Sequence, residues 1–159
     1  MSTDNHSVTL RINDDAHELQ IDGGETLLVT LRERLGMTGS KRGCNQGVCG
    51  ACTVLVDGEP VRGCLQLSAA CGERAITTIE GIADGLNLTP VQEAMVAHGG
   101  LQCGFCTSGM VLTLSAFLAE NPKPTRDEVR QALSGNLCRC TGYTQIVDAA
   151  MHVAEAHTA

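Results

Sequence analysis

The sequence predicts an α+β fold in two parts, a small mixed β-sheet with one helix followed by a helical region. Three observations carry this. Short runs before residue 80 alternate apolar and polar residues, longer runs after residue 89 recur at helical spacing behind capping signals, and the cysteines fall into two separate sets, one in each part.

In chain order, Val8 to Ile12 and His17 to Ile21 alternate around Asn13-Asp14-Asp15, the pattern of a half-buried hairpin. Leu27, Leu28, Leu31 and Leu35 then return at helical spacing, with Gly36 as the stop. A glycine-rich loop runs from Gly39 to Gly50. Beyond it, Thr53 to Val56 and Glu59 to Arg62 flank Asp57-Gly58, a strong signal for a two-residue hairpin turn, and Ala75 to Glu80 is a further β-branched run. The glycine-rich stretch at 81–88 reads as a linker, dividing the chain into domains at 1–80 and 89–159. Four helices are predicted after it. Thr89-Pro90-Val91-Gln92 and Thr125-Arg126-Asp127-Glu128 are capping boxes, Met110 to Glu120 ends at Asn121-Pro122, and Gln145 to Ala156 is the last apolar-rich stretch.

Composition narrows the function classes. With 159 residues, 43% hydrophobic and 18% charged, the chain suits one ordinary or two small globular domains. A net charge of -7, with every cysteine counted as neutral, argues against nucleic acid as a partner. Phe105, Phe117 and Tyr143 are the only aromatic residues, too few for a base-stacking platform or an aromatic ligand pocket. Met1 to Ser7 is polar and acidic without a basic or apolar targeting pattern, and no window approaches the ~18 apolar residues of a membrane span, so a cytoplasmic protein is expected. In that reducing compartment nine cysteines read as metal ligands or reactive thiols rather than disulfides.

The first set is Cys44-x4-Cys49-x2-Cys52, joined by Cys64 from beyond the Asp57-Gly58 turn, and its first three spacings are those of a plant-type [2Fe-2S] ferredoxin. Four thiolates and their irons carry net negative charge, which a tight loop satisfies by turning backbone N–H groups inward. Gly43, Gly47 and Gly50 allow that approach. Lys41 and Arg42 stand beside the loop, as charge compensation or as a solvated surface pair. The ninth cysteine, Cys71, is either a rival for the fourth ligand position or a small buried apolar side chain.

The second set is Cys103-x2-Cys106 and, 31 residues on, Cys138-Arg139-Cys140. Each pair falls in a predicted turn between helices, so two loops at one end of a helical bundle close on one site. Structural zinc also takes four thiolates at such spacing. A thioredoxin-like pair would leave six cysteines unexplained, and none of His6, His17, His98, His152 and His157 has the spacing of a Rieske ligand. The histidines read as surface or packing residues.

Taken together, Gly43-Cys44-x2-Gly47-x-Cys49-Gly50-x-Cys52-Thr53, Leu101-Gln102-Cys103-Gly104-Phe105-Cys106 and Gly135-Asn136-Leu137-Cys138-Arg139-Cys140-Thr141-Gly142-Tyr143 closely resemble the iron-sulfur subunit of molybdenum hydroxylases, the family of xanthine dehydrogenase and carbon monoxide dehydrogenase. The resemblance spans roughly Val8 to Val153. It implies a β-grasp, plant-type ferredoxin-like domain followed by a four-helix [2Fe-2S] domain, with Cys44, Cys49, Cys52 and Cys64 on one cluster and Cys103, Cys106, Cys138 and Cys140 on the other. It also implies a large subunit holding a molybdenum-pterin cofactor, usually an FAD subunit, and a dimer of such heterotrimers. Electrons would run from molybdenum to the C-terminal cluster, then the N-terminal cluster, then flavin. By the same resemblance Gln102 and Cys140 contact the pterin across the subunit interface. Ser108 departs from the proline common in the family, and as a helix cap it would leave the fold unchanged. A free-standing two-cluster ferredoxin and a zinc-stabilised interaction module are the competing readings.

Overall fold

The computed structural model describes residues 5–156. The N-terminal reading at Met1 to Asp4, the extension of the second domain to Ala159 and the surface reading of His157 lie outside the described residues. Strands β1 (Asn5–Ile12) and β2 (Asp15–Asp22) form the first hairpin. Its turn is shorter than the sequence suggested, since Asp15 joins the strand and only Asn13 (φ 50°) and Asp14 (φ 70°) connect. Two consecutive positive φ values match the right-handed twist of the flanking strands, and Asn and Asp tolerate them. Asp57 (φ 53°) and Gly58 (φ 87°) make the same turn between β3 (Thr53–Val56) and β4 (Glu59–Arg62). The β-branched run yields only a short β5 (Ala75–Thr77), followed by a 3-10 turn (Ile79–Gly81). Strand order is β2-β1-β5-β3-β4, with β1 and β5 parallel and all other neighbours antiparallel.

Helix α1 (Leu27–Val29) continues as a π-helical turn (Thr30–Arg34), where the Leu35 N–H reaches back to Thr30 O at 3.2 Å. Leu27 and Leu31 pack on the sheet with Leu10, Ile12, Val54, Val56 and Ile76, while Leu28 turns to Cys52 and Cys64. Backbone bonds from Leu27 N to Gln66 O and Leu28 N to Gly63 O tie the helix start to the segment that carries Cys64. The helix thus serves the sheet core with one face and the cysteine segment with another.

After residue 89 come α2 (Pro90–Ala97), α3 (Thr107–Glu120), α4 (Arg126–Ala132) and α5 (Thr144–Ala156), so the described residues hold five α-helices in all. Both predicted capping boxes form, with Thr89 and Gln92, and Thr125 and Glu128, exchanging bonds. Met95, Met110, Leu114, Leu133, Ile146 and Ala150 fill a second core among the helices. α3 also packs against β3 and β4, which joins the two halves. No helix of the described residues is long and apolar enough to cross a membrane.

Glu25 secures α1. Its carboxylate accepts two bonds from Arg34, both 2.7 Å, and one from the Thr30 hydroxyl at 2.6 Å. Arg34 first, and Thr30 after it, hold the Glu25 carboxyl below its ordinary value of 4.5 against the opposing effect of burial. A carboxylate depressed on folding stabilises the fold above its unfolded value, and that stability is lost as pH falls through the folded value. Glu25→Gln should therefore lower unfolding free energy at pH 7 by about 1 to 2 kcal/mol, a figure tempered by the exposure of Arg34. Denaturant titrations of both proteins should converge as pH is lowered below the carboxylate range.

Candidate metal centres

The loop from Gly39 to Gly50 wraps its backbone around sulfur. Cys44 Sγ accepts N–H bonds from Gln46, Val48 and Cys49, each 3.3 Å, and Cys49 Sγ accepts the Cys44 N–H at 3.3 Å. Those donors, Cys49 and Gln46 foremost, bring the Cys44 thiol down to about 6. A Cβ on Gly43 would lie 2.8 Å from Cys49 Sγ, so only glycine lets the chain pass that close to the sulfur. Cys52 and Cys64 are buried together against Leu28. Burial first, with the neighbouring Cys64 thiol adding to it, pushes Cys52 up to about 11. The amides favour thiolate and burial opposes it, a conflict that a bound iron would reconcile.

The second set also resolves into pairs. Cys140 Sγ lies 3.4 Å from Cys103 Sγ, and both residues are exposed. The Phe105 N–H lowers Cys103, while the Cys103 side chain raises Cys140. Cys106, next to α3, is pushed up to about 12 by burial and then by Cys138. Burial opposes ionisation of Cys138 too, but the Thr141 hydroxyl at 3.1 Å and N–H at 3.5 Å outweigh it and the thiol is lowered. Among the described residues no three His, Cys, Asp or Glu side chains are gathered to hold one metal ion. Cys44 lies against Cys49, Cys52 against Cys64, Cys103 against Cys140 and Cys106 against Cys138, contacts that would let each pair share one iron.

The loops of the two sets touch. Leu137 N donates to Cys49 O at 2.9 Å, and the buried Asn136 Nδ2 donates to Gly50 O at 3.2 Å while its Oδ1 accepts from Thr113 at 3.2 Å. Tyr143, at φ 68°, accepts the Cys138 N–H at 2.9 Å and donates to Asn136 O at 3.0 Å, stapling the second loop from within. Arg62 bonds Thr53 Oγ1 at 2.7 Å and Gly135 O at 2.6 Å.

Of the other positions singled out from sequence, Gln102 is exposed beside exposed Cys103, and Cys71 is buried in the sheet core, its thiol raised by burial. Arg42 pairs with Glu33 at 3.5 Å on the surface. Ser108 is not the cap of α3. The helix begins one residue earlier, and the buried Ser108 hydroxyl donates instead to Gly39 O at 2.7 Å, tying α3 to the start of the first loop. Asn136, Thr113, Arg62 and the hydroxyl of Tyr143 were missed as structural parts of the site. Tyr143 carried a sequence signal only as the end of the motif from Gly135 to Tyr143 around Cys138 and Cys140.

Two domain families match, side by side. Residues 10–77 match the family described as 2Fe-2S iron-sulfur cluster binding domain, and residues 78–151 that described as [2Fe-2S] binding domain. The chain is 48% identical over 149 residues to the nicotine 6-hydroxylase small subunit of Paenarthrobacter nicotinovorans, covering 94% of this chain and 90% of that one. It is 46% identical over 150 residues to the xanthine dehydrogenase iron-sulfur-binding subunit of Escherichia coli O157:H7, covering 91% and 94%. A chain in the crystal structure of quinoline 2-oxidoreductase from Pseudomonas putida 86 superposes with a TM-score of 0.92 at 46% identity, covering 99% of this chain and 98% of that one.

The contact between loops sets a test. Gly50 has φ +71°, and a Cβ there would lie 2.4 Å from Gly135 O, whereas Gly58 has φ +87° with nothing within 4 Å. Gly58→Ala should cost about 1 kcal/mol, for the left-handed backbone alone. Gly50→Ala should cost about 3 kcal/mol or more, because strain and backbone clash add. Thermal melts of the two variants check the difference.

Proposed function

This chain belongs to the family of [2Fe-2S] small subunits of molybdenum hydroxylases, and from that premise we propose how its residues divide the work. It is the electron-transfer subunit of a molybdenum-dependent oxidoreductase, with two [2Fe-2S] clusters. Bound there, the clusters supply one-electron relay between the molybdenum-pterin site and the acceptor. Substrate conversion is assigned to the partner subunit and one-electron relay to this chain.

Cys44 and Cys49 take one iron of the first cluster, Cys52 and Cys64 the other; Cys103 with Cys140, and Cys106 with Cys138, divide the second. The pairwise association of the thiols is the observation that carries this assignment. Three N–H groups on Cys44 Sγ hold anionic sulfur in place, as do the hydroxyl and N–H of Thr141 on Cys138. The order of the strands and the position of α1 support reading 1–80 as a plant-ferredoxin-like β-grasp domain, with 81–88 as linker and 89–159 as a four-helix cluster domain.

The partners are a large molybdopterin-binding subunit and an FAD-binding medium subunit, in a cytoplasmic dimer of heterotrimers. Exposed apolar side chains support such partners, and they argue against a free-standing ferredoxin: Val48 and Leu65 stand beside the first loop, Leu101, Phe105 and Leu137 beside the second. Exposed Gln102 and Cys140 on the second loop suit a contact with the pterin, which makes the C-terminal centre the entry point and the N-terminal centre the exit.

Analysis of the purified complex should give about four irons and four sulfides per copy of this chain, without stoichiometric zinc. Reduction should produce two EPR signals. Cys49→Ser should abolish one and Cys103→Ser the other, while Cys71→Ala leaves both. A chain that purifies alone with both signals would favour the free ferredoxin, and zinc in the second site would favour the interaction module.

A further inference from the structure

We propose that Arg62 is the shared counter-charge of the two centres, a cation fixed between their loops that raises the reduction potential of both clusters. The inference rests on the assignment of the eight cysteines to two clusters. Arg62 ends β4, two residues before Cys64. One arm of its guanidinium donates to Thr53 Oγ1, next to Cys52, and the other to Gly135 O, three residues before Cys138. A single side chain therefore bridges the segments that carry ligands of both sets.

The site is shaped for it. Thr53 is fully buried and spends its own proton on Gly50 O at 2.7 Å, leaving its lone pairs to accept from Arg62. A Cβ on Gly135 would lie 2.3 Å from Arg62 Nη2, so the absence of a side chain there admits the guanidinium. Among the described residues the ion pairs engage Arg34, Arg42, Arg74, Arg126 and Arg130, and Arg62 is in none of them. Its partners are neutral acceptors, so its charge is not cancelled by a carboxylate. A half-buried, permanently charged group acts through a medium less polarisable than water, where its field reaches further.

Clusters bound by four thiolates are anionic, and each gains a further negative charge on reduction. Net charge and nearby hydrogen bonds are among the levers that set their potentials. A fixed cation favours the reduced state of each centre. It also screens the reduced form of one from the other, so that an electron on the first does not bar an electron from the second.

The test is an EPR-monitored redox titration of the intact complex. Arg62→Gln keeps an amide donor and loses the charge, and Arg62→Lys keeps the charge and loses the fork. Both midpoint potentials should fall in Arg62→Gln, the N-terminal centre's more, because Arg62 stands closest in sequence to Cys64 and bonds beside Cys52. Most of that shift should be recovered in Arg62→Lys. Unchanged potentials in Arg62→Gln would overturn the proposal, as would an equal fall in Arg62→Lys, which would leave Arg62 a packing role only. If Arg62→Gln loses iron on purification, Arg62→Lys alone decides: near-native potentials support the proposal and a large fall overturns it. The cluster assignment is checked apart from this, by the iron content and two signals of the unaltered complex.

Discussion

The backbone carbonyl of Cys49 finds its hydrogen-bond donor in the other half of the chain, at Leu137, and the Gly50 carbonyl, already bonded by the Thr53 N–H and hydroxyl, takes a further bond from Asn136. A carbonyl left without a donor is costly, so the Leu137 bond to Cys49 ties the end of the first loop to the second. The two halves approach closely at the same place. A Cβ on Gly109 would lie 2.4 Å from Gly50 O, and only a glycine at that position of α3 lets the helix settle against the loop. Ser108, bonded to Gly39 O, and Thr113, bonded to Asn136, extend the contact along the same helix. The chain is two domains by sequence and one packing problem by structure.

The two centres are held by different means. The first has buried Cys52 and Cys64 at its back and backbone amides around Cys44, so most of its environment comes from its own loop. The second keeps Cys106 and Cys138 partly buried against the helix core but leaves Cys103 and Cys140 exposed. That exposure suits the role proposed for the second centre, exchange of electrons with a neighbouring subunit. A site that must exchange electrons with a neighbouring protein has reason to leave its outer thiolates where that protein can reach them.

Much of this was legible in the sequence because it is local. The Asp57-Gly58 turn and the two capping boxes are patterns within a few residues, and each formed as read. The misreadings have local causes too. The leucine spacing that suggested one regular helix over Leu27 to Leu35 gave way to a π-helical turn, where the buried Thr30 hydroxyl lies between Glu25 and Ser68. Ser108 looked like a cap because serine before an apolar run usually is one, yet the helix starts at Thr107 and the hydroxyl meets a carbonyl 69 residues away. Asn136 and Arg62 were illegible as parts of the site, since their partners lie up to 86 residues distant and no local period encodes such a contact.

The bond from Leu137 to Cys49 joins backbone to backbone. Surface side chains are free to vary without disturbing it, because neither donor nor acceptor belongs to one. The interval between the two sulfur sites is thereby insulated from whatever remodels the outer faces. A chain built this way behaves as a ruler with exchangeable ends: its spacing stays constant while the exposed residues around Val48 or Phe105 are recut to meet a different neighbour.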